Sequence, residues 1–430
     1  MAVGGETEAH PTEANGNGTD RRIRFIPLSY SSTDSDDSAL SLVLTVRPEW
    51  ENVEFVRFTD GITNTLLKAV NKKPGLSKDE VDKEAILLRA YGNGTDLIID
   101  RHRETQNHEL LAKYGLAPEL IARFDNGMMY RFIQGAVTKP EDLRKPVIYK
   151  AVARRLAQWH AEVPCIPGRT GHSRKNSKVE GFAGPAGNLG DAEFQQALDH
   201  VAPGKPSPNI WSVMQKWIFA LPTDTEEQRS RQAELQKELT ALVSELSQRP
   251  GLGQNGLVFA HCDLLSGNVI VLPKSLGAAG DKTAETVTFI DYEYATPSPA
   301  AFDIANHFAE WGGFDCDFSV LPTRSQRREF ITEYVRTYFS QLREQPGTVD
   351  EAAEVEKLLA EVDVFRGLPG FYWGIWALIQ ATISQIDFDY ASYAETRLGE
   401  YWAWRAETSG SREKSGAEMP LRERRWAQEE

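Results

Sequence analysis

The sequence predicts an α+β fold with two lobes, in which a small β-rich N-terminal lobe with one key helix precedes a larger, mainly helical C-terminal lobe. Three observations carry this prediction. Short strand candidates crowd the first third of the chain, apolar residues at helical spacing dominate the remainder, and a polar motif at 261–268 is followed by an acidic triplet at 291–293. With 430 residues, the chain is long enough for such a bilobal unit.

The first third contains short strand candidates with turn residues between them, at 53–58, 65–70, 85–89 and 128–133. Such strands are typical of an antiparallel sheet. Between the third and fourth candidates, Glu104 to Tyr114 predicts a helix, which ends at Gly115. The pattern therefore predicts a sheet with one helix inserted after its third strand.

Beyond the sheet, apolar residues recur at helical spacing, as at Ile148, Val152, Leu156 and Trp159. The Gly/Pro/Ser-rich stretch at 168–208 predicts a flexible loop and not a phosphate cradle, because its glycines neither follow a strand nor open a helix. The expected organisation is a disordered N-terminus at 1–20, an N-lobe at 21–134, a C-lobe at 135–405 and a charged tail at 406–430 that frays.

Composition excludes several classes of protein. The formal net charge of -14 argues against a general nucleic-acid binder, which would carry a basic stripe. Three scattered cysteines indicate neither a disulfide framework nor a zinc cluster and favour a reducing compartment such as the cytoplasm. The first 20 residues lack a secretory signal, and the longest apolar run, at 371–379, is too short to insert across a bilayer.

The stretch from His261 to Asn268 reads H-x-D-L-x-x-x-N, and an apolar run then ends in the triplet Asp291-Tyr292-Glu293. Protein kinases use the same order: an aspartate beside the attacking hydroxyl, an asparagine five residues on that holds magnesium, and a second metal-binding aspartate after a strand. The motif therefore predicts phosphoryl transfer from ATP with Mg²⁺, in a bilobal protein-kinase-like fold.

Each residue of the motif receives a predicted role. Asp263 is the catalytic base, and Asn268 and Asp291 are magnesium ligands, linked by a hairpin of 269–272 with 286–290. Glu293 either binds a second ion or forms a surface salt bridge. We expect His261 to hold the loop through hydrogen bonds instead of taking part in the chemistry.

Arg89 lies on the third strand candidate, where protein kinases place the lysine that grips the ATP phosphates. Glu104 opens the following helix, where the partner glutamate of that lysine lies, and both are predicted to be catalytic. The alternative for Arg89 is a charge at a strand edge. Lys68 and Arg101 are weaker candidates.

Two further segments are predicted to bind the nucleotide. Residues 59–64 occupy the place of a loop that covers the phosphates, which makes candidates of Thr59, Gly61, Thr63 and Asn64, although one glycine alone is a weak signal. The second segment is a hinge whose backbone meets the adenine, and its candidates are Phe132, Ile133 and Gln134.

A carboxylate and several aromatic residues in the C-terminal half predict where a substrate binds. Asp303, His307 and Glu310 share one helical face, Trp373 and Trp376 share another, and Tyr390 and Tyr393 follow. Carboxylates with aromatic faces suit an ammonium ligand. Tryptophans at helical spacing, however, are usually core, and spacing alone favours that reading.

These motifs together resemble the choline/ethanolamine kinase family, from about Val53 to about Trp404. The segments that carry the resemblance are 60–64, 88–92, 100–104, 132–135, 261–268, 290–294, 302–308 and 373–380. The family implies a two-lobed kinase fold and ATP- and Mg²⁺-dependent phosphorylation of an amino-alcohol hydroxyl. With ethanolamine as the amino alcohol, this is the first step of the CDP-ethanolamine route to phosphatidylethanolamine.

The resemblance also implies roles for particular residues. Asp263 would be the base, Asn268 and Asp291 would bind the metal, and Asp303 would hold a loop. The positions that match the family's amine pocket are Tyr294, Glu310, Trp373, Trp376 and Tyr393. Cys262 stands where many members carry asparagine, and Gly312-Gly313 replaces bulkier residues. Leu264-Leu265 is more similar to members that act on ethanolamine than to those that act on choline.

Several alternatives remain open at this point. Phosphorylation of choline, or of both amino alcohols, is the nearest one. A protein kinase is disfavoured, because D-F-G and A-P-E motifs are missing after Asp291. An inactive kinase-fold binding protein is a different class, but such proteins usually lose the base or a metal ligand. A homodimer is an option that the sequence does not decide.

Overall fold

A computed structural model describes residues 23–58, 64–92, 95, 98–165, 191–274, 285–342, 349–384 and 386–430. The strands are β1 Arg24–Ile26, β2 Val53–Phe58, β3 Asn64–Asn71, β4 Ile86–Tyr91, β5 Leu120–Phe124, β6 Gly127–Arg131, β7 Ala136–Val137, β8 Val258–Ala260, β9 Val269–Val271, β10 Val287–Phe289 and β11 Thr296–Ser298.

The first eight helices are α1 Ser35–Val46, α2 Lys78–Glu84, α3 Arg101–Lys113, α4 Pro140–Leu143, α5 Pro146–Glu162, α6 Asp191–Asp199, α7 Ile210–Ala220 and α8 Glu226–Leu246. The others are α9 Ala300–Ala309, α10 Arg324–Gln341, α11 Glu351–Phe365, α12 Leu368–Ile383, α13 Tyr390–Thr408, α14 Ser411–Ser415 and α15 Leu421–Ala427.

The N-terminal part is a six-stranded sheet in the order β1-β5-β6-β4-β3-β2. All neighbours are antiparallel except β1 with β5. The predicted antiparallel sheet is confirmed, and so is the helix that follows the strand of Arg89. The sequence prediction missed β1, β5, α1 and α2, of which β1 has only three residues and so shows no alternation.

Helix α3 begins three residues before the predicted start. Asp100 caps it, since its carboxylate accepts a hydrogen bond from the Arg103 backbone N–H at 3.1 Å. Its end is as predicted, because Gly115 adopts the left-handed conformation (φ 68°) that glycine tolerates best. The earlier start leaves Glu104 in the first turn and buried.

The C-terminal part is mainly helical, as predicted, with one large apolar core. Trp159 of α5 lies in this core against Phe259, His261 and Phe289. Two small sheets, β7-β9-β10 and β8-β11, carry the kinase motif. In the first of them β9 and β10 pair in the predicted hairpin, so that Asn268 precedes one strand and Asp291 follows the other.

Two expectations about irregular segments are corrected. The tail at 406–430 does not fray: α15 packs on the C-terminal core, and Trp426 is buried there. Charged residues made this segment look exposed, but several of its charges are paired and buried. Within 168–208, α6 is a helix and not part of a flexible loop. Residues 1–20 and the first part of that stretch lie outside the described residues.

Among the residues described, no helix combines the length and the apolar character that a membrane crossing requires. The division of the lobes after residue 134 stays a prediction.

Candidate active site

The loop after β8 brings Asp263 and Asn268 together. The Asn268 side-chain amide donates to the backbone carbonyl of Asp263 at 2.7 Å and to its Oδ2 at 3.1 Å. Both side chains are largely buried, at 7% exposure each. Because the amide nitrogen is directed at Asp263, the Asn268 Oδ1 is the atom that a cation can use.

Helix α9 fixes the backbone of this loop. Asp303 accepts hydrogen bonds from the backbone N–H groups of His261 at 2.9 Å and Cys262 at 2.8 Å. Asn306 donates to the Cys262 carbonyl at 3.0 Å, and His307 Nδ1 donates to the Leu264 carbonyl at 2.8 Å. Since buried backbone groups must find partners, three side chains of one helix determine the path of the loop.

His261 joins the loop to the strand that precedes Asp291. Its Nε2 donates to the Ile290 carbonyl at 3.0 Å, and its Nδ1 faces the backbone N–H of Asp263 at 3.3 Å. Burial lowers the pKa of His261 to about 4, so the ring is neutral near pH 7. One ring nitrogen has its partner within the loop and the other at Ile290, which supports the predicted structural role.

Asp303 has a partner that sequence reasoning missed. His160 of α5 donates from Nε2 to Asp303 Oδ2 at 2.9 Å, and its Nδ1 contacts the Tyr334 hydroxyl at 2.7 Å. Burial would raise the pKa of Asp303, but the bonds from His160 and the backbone outweigh it, and the pKa lies below its ordinary value. The available signal was a histidine four residues after Leu156 on an apolar face.

Arg89 lies among three carboxylates. Its Nη1 is 2.8 Å from Asp291 Oδ1, its Nε is 3.3 Å from Glu104 Oε1, and its Nη2 pairs with Glu293. Arg101 reinforces the cluster, at 3.0 Å from Glu104 and 3.1 Å from Glu293. The alternative of a strand-edge charge is therefore wrong for Arg89, whose side chain is 5% exposed.

Asp263, the predicted base, lies in a negative environment. Burial raises the pKa of Asp263 well above its ordinary value, and the charges of Asp291, Glu310 and Glu293 raise it further. A raised pKa makes the carboxylate a stronger proton acceptor. A cation bound nearby would lower it, because it favours the ionised form.

The oxygen donors fit a magnesium ion. Mg²⁺ usually takes one or two protein carboxylates and completes its shell with water and phosphate oxygens. Asn268 and the partly exposed Asp291 offer such donors at adjoining positions. Glu293, in contrast, is buried and already contacts Arg89, Arg101 and Asn64. In the described parts of the chain, no group of three or more His, Cys, Asp or Glu side chains could hold a metal ion by itself.

The predicted nucleotide-binding segments are only partly described. Thr59, Gly61 and Thr63 lie outside the described residues, whereas Asn64 begins β3 and donates to Glu293 at 3.2 Å. The predicted hinge, 132–134, follows β6, and Phe132 donates its backbone N–H to Ala85 at 3.0 Å. Lys68 pairs with a different carboxylate, that of Asp82, at 2.6 Å, and lies over the Phe132 ring.

The predicted amine-pocket residues belong to one cluster, in which Tyr390 and Phe388 connect Trp376 to Tyr393 through ring contacts. Tyr294 lies against Trp373, with ring centroids 5.6 Å apart, and accepts a hydrogen bond from Trp376 Nε1 at 2.8 Å. Glu310, at the end of α9, lies 3.4 Å from Arg397, whose guanidinium is 5.8 Å from the Tyr393 ring. All five predicted residues are less than 9% exposed. Glu310 is also close enough to Asp263 to raise its pKa.

A family model described as choline/ethanolamine kinase matches residues 55–402, most of the chain. The chain belongs to the choline/ethanolamine kinase family. Among its curated relatives within this family, a probable ethanolamine kinase of Nematostella vectensis is 31% identical and covers 88% of this chain and 96% of its own length. Human ethanolamine kinase 1 is 33% identical over 87% of this chain and 72% of its own length.

Solved structures show the fold of this kinase-family member. An ethanolamine kinase of Plasmodium vivax superposes with a TM-score of 0.62 at 24% identity, over 86% of this chain and 89% of the other. A choline kinase of Cryptosporidium parvum superposes with a TM-score of 0.53 at 20% identity, over 87% of this chain and 97% of the other. The predicted bilobal protein-kinase-like fold is confirmed.

Three buried histidines of this family member should each lower its stability on acidification. Burial lowers the pKa values of His108, His261 and His307 to about 4 each, from 6.5. Between pH 6.5 and 4 these histidines therefore bind protons in the unfolded chain but not in the folded chain, whereas the buried carboxyl groups with raised pKa values act in the opposite direction. The expected loss is on the order of 3 kcal/mol per histidine.

Urea unfolding at a series of pH values measures this effect. His108→Gln retains a donor for the Pro118 carbonyl, which His108 Nε2 contacts at 2.8 Å, and should remove the contribution of this histidine, on the order of 3 kcal/mol between pH 6.5 and 4. The exposed His102→Gln is the matched control and should leave the pH dependence unchanged. If the free energy of unfolding depends equally on pH in the wild type, His108→Gln and His102→Gln, the lowered pKa of His108 is contradicted.

Proposed function

We propose that the protein phosphorylates the hydroxyl of ethanolamine, using ATP and Mg²⁺, to give phosphoethanolamine, the first step of the CDP-ethanolamine route to phosphatidylethanolamine. One observation carries the proposal: Asp263 is close enough both to Asp291 and Glu293, which pair with Arg89, and to Glu310 for their charges to raise its pKa. The relatives named ethanolamine kinases support the choice of substrate.

Asp263 accepts the proton of the substrate hydroxyl. The oxygen then forms its bond to the γ-phosphorus of ATP as the bond to ADP breaks. Asn268 keeps the carboxylate in place through its amide hydrogen bond. Phosphoryl transfer needs little covalent help beyond an aligned hydroxyl, so the rigid hold of α9 on the loop contributes directly to the rate.

The other side of the site serves the phosphates. Asn268 and Asp291 would hold Mg²⁺, which neutralises phosphate charge when it is bound. Arg89, oriented by Glu104, offers a fork of N–H donors for phosphate oxygens. We retain Glu293 as a candidate ligand of a second ion, although its contacts with Arg89 and Arg101 equally suit a positioning role. Nucleotide contacts by Thr59, Gly61, Thr63, Asn64 and the hinge at 132–134 remain part of the proposal.

The amine would bind beside Glu310, against Tyr294, Trp373, Trp376 and Tyr393. A primary ammonium presents three N–H donors and needs acceptors, which the Glu310 carboxylate supplies. Choline presents methyl groups instead and needs a fuller aromatic cage with fewer acceptors. A buried carboxylate in the set therefore favours ethanolamine, with choline as the second candidate.

The test is ADP release from ATP by the purified chain, with ethanolamine, choline or an aminoglycoside as acceptor, with and without Mg²⁺. We expect kcat/KM to be at least about tenfold higher for ethanolamine than for choline. Chelation of Mg²⁺ should abolish turnover. A preference for choline would overturn the choice of substrate, and no turnover with any acceptor would favour an inactive binding protein. Location in the cytoplasm and a homodimer stay predictions.

A further inference from the structure

A line of buried charges of alternating sign connects the amine-pocket cluster to the C-terminal helix. Glu310 Oε1 is 3.4 Å from Arg397 Nη2, and Arg397 Nε is 3.4 Å from Glu400 Oε1. The other oxygen of Glu400, Oε2, is 3.2 Å from Nε of Arg422 on α15. These four residues are at most 6% exposed. Their charges are thus screened little by water and act on one another strongly.

Arg422 is itself fixed at the far end of this line. Its Nη1 is 2.9 Å from Glu423 Oε1, and its Nη2 donates to the Arg366 carbonyl. Glu423 in turn binds the Arg366 guanidinium, at 2.8 and 3.0 Å. The line therefore alternates three carboxylates with three guanidiniums, and no charge in it lacks a partner of opposite sign.

The two longest contacts in the line are those of Arg397, on either side of its guanidinium. Arg397 divides its guanidinium between Glu310 and Glu400, with both distances at 3.4 Å. Arg422 draws Glu400 from the other side and so leaves Arg397 available to Glu310. Arg397 also lies by the Tyr393 ring, so its position affects two residues of the pocket.

We propose that Arg422, on the C-terminal helix, is a positioning residue for the amine pocket, acting through Glu400 and Arg397 on Glu310. Without Arg422, both oxygens of Glu400 would be free to pair with Arg397. Arg397 would then leave Glu310, which would lose the partner that fixes its carboxylate. Substrate affinity should then fall, while the phosphate side of the site, around Arg89, keeps its contacts. This inference rests on the proposed function, in which Glu310 receives the ammonium.

The test is the kinetics of Arg422→Gln in the full-length chain with ethanolamine and ATP. The KM for ethanolamine should rise about tenfold, while the KM for ATP changes less than about twofold. Arg424→Gln is the matched control, because Arg424 lies on the same helix, is exposed and pairs with the exposed Glu418. It should behave as wild type.

A double-mutant cycle separates positioning from general destabilisation. In a Glu310→Gln background, Arg422→Gln should change the KM for ethanolamine by less than about twofold, because the group on which it acts is gone. An effect that persists in that background, or a KM that falls, would overturn the inference. If Arg422→Gln does not fold, Glu400→Gln combined with Arg422→Gln removes one charge of each sign. Glu400 then no longer attracts Arg397, so the KM for ethanolamine should stay within about twofold of wild type, and a tenfold rise would overturn the inference.

Failure of the proposed function gives a different result. If the wild-type chain does not phosphorylate ethanolamine, the function itself is wrong. If the wild type is active but Arg422→Gln retains its KM for ethanolamine, only the positioning role is wrong.

Discussion

Asp263→Asn is expected to lower kcat for ethanolamine phosphorylation by about 10³-fold, because the amide cannot accept the hydroxyl proton. The same change should not lower the free energy of unfolding. Asp263 is buried and its pKa is raised by burial and by the charges of Asp291, Glu310 and Glu293, so the ionised side chain opposes folding at neutral pH. Steady-state kinetics and urea unfolding measure the two effects.

Calorimetric titration with a nucleotide provides the control, since the variant should bind ATP as the wild type does. Asp315→Asn, on an exposed residue, is the matched substitution and should alter neither rate nor stability. A variant of Asp263 that keeps near wild-type kcat would exclude this residue as the base. A large loss of stability would show that its carboxylate is needed for folding.

Asp303→Ala should have the second large effect, and here stability and rate should fall together. The substitution leaves the backbone N–H groups of His261 and Cys262 and the ring N–H of His160 without their buried acceptor. The expected loss is about 3–5 kcal/mol in the free energy of unfolding. Because the loop then loses its fixed path, kcat should fall by about 10²-fold or more.

Urea unfolding and kinetics at a temperature where the variant is folded measure both losses. Asp315→Ala again serves as the carboxylate control. If Asp303→Ala remains as stable as wild type, the loop is not held from α9. If the free energy of unfolding falls but kcat does not, the position of Asp263 does not depend on the hydrogen bonds between Asp303 and the loop.

The parts of the site that the sequence predicted are local ones. Asp263 and Asn268 lie five residues apart in one loop, and the β9–β10 hairpin carries the chain directly to Asp291. Arg89 was predicted by its place on a strand followed by a helix, which is also a short-range pattern. The proximity of Asp263, Asn268 and Asp291 follows from local backbone geometry, whereas Arg89 contacts Asp291 from 202 residues away.

The parts that the sequence did not reveal depend on contacts between distant segments. His160 reaches Asp303 across 143 residues, and Asn306 reaches Cys262 across 44. The charged residues of 406–430 indicated an exposed tail, since isolated charges are rarely buried. Arg422 and Glu423 are buried because each finds partners from elsewhere in the chain, and no periodic pattern in the sequence records such pairing.

The two hydrogen bonds of the Asn306 side chain restrict which residue can be changed to make the enzyme accept other amino alcohols. Its amide nitrogen binds the Cys262 carbonyl beside the base, and its oxygen accepts from Trp373 Nε1 at 2.8 Å. Replacing Trp373 by a smaller residue would therefore also disturb the backbone next to Asp263 and slow the enzyme with every acceptor, including those that fit. Trp376 donates instead to the Tyr294 hydroxyl, so libraries aimed at new amino alcohols should begin at Trp376.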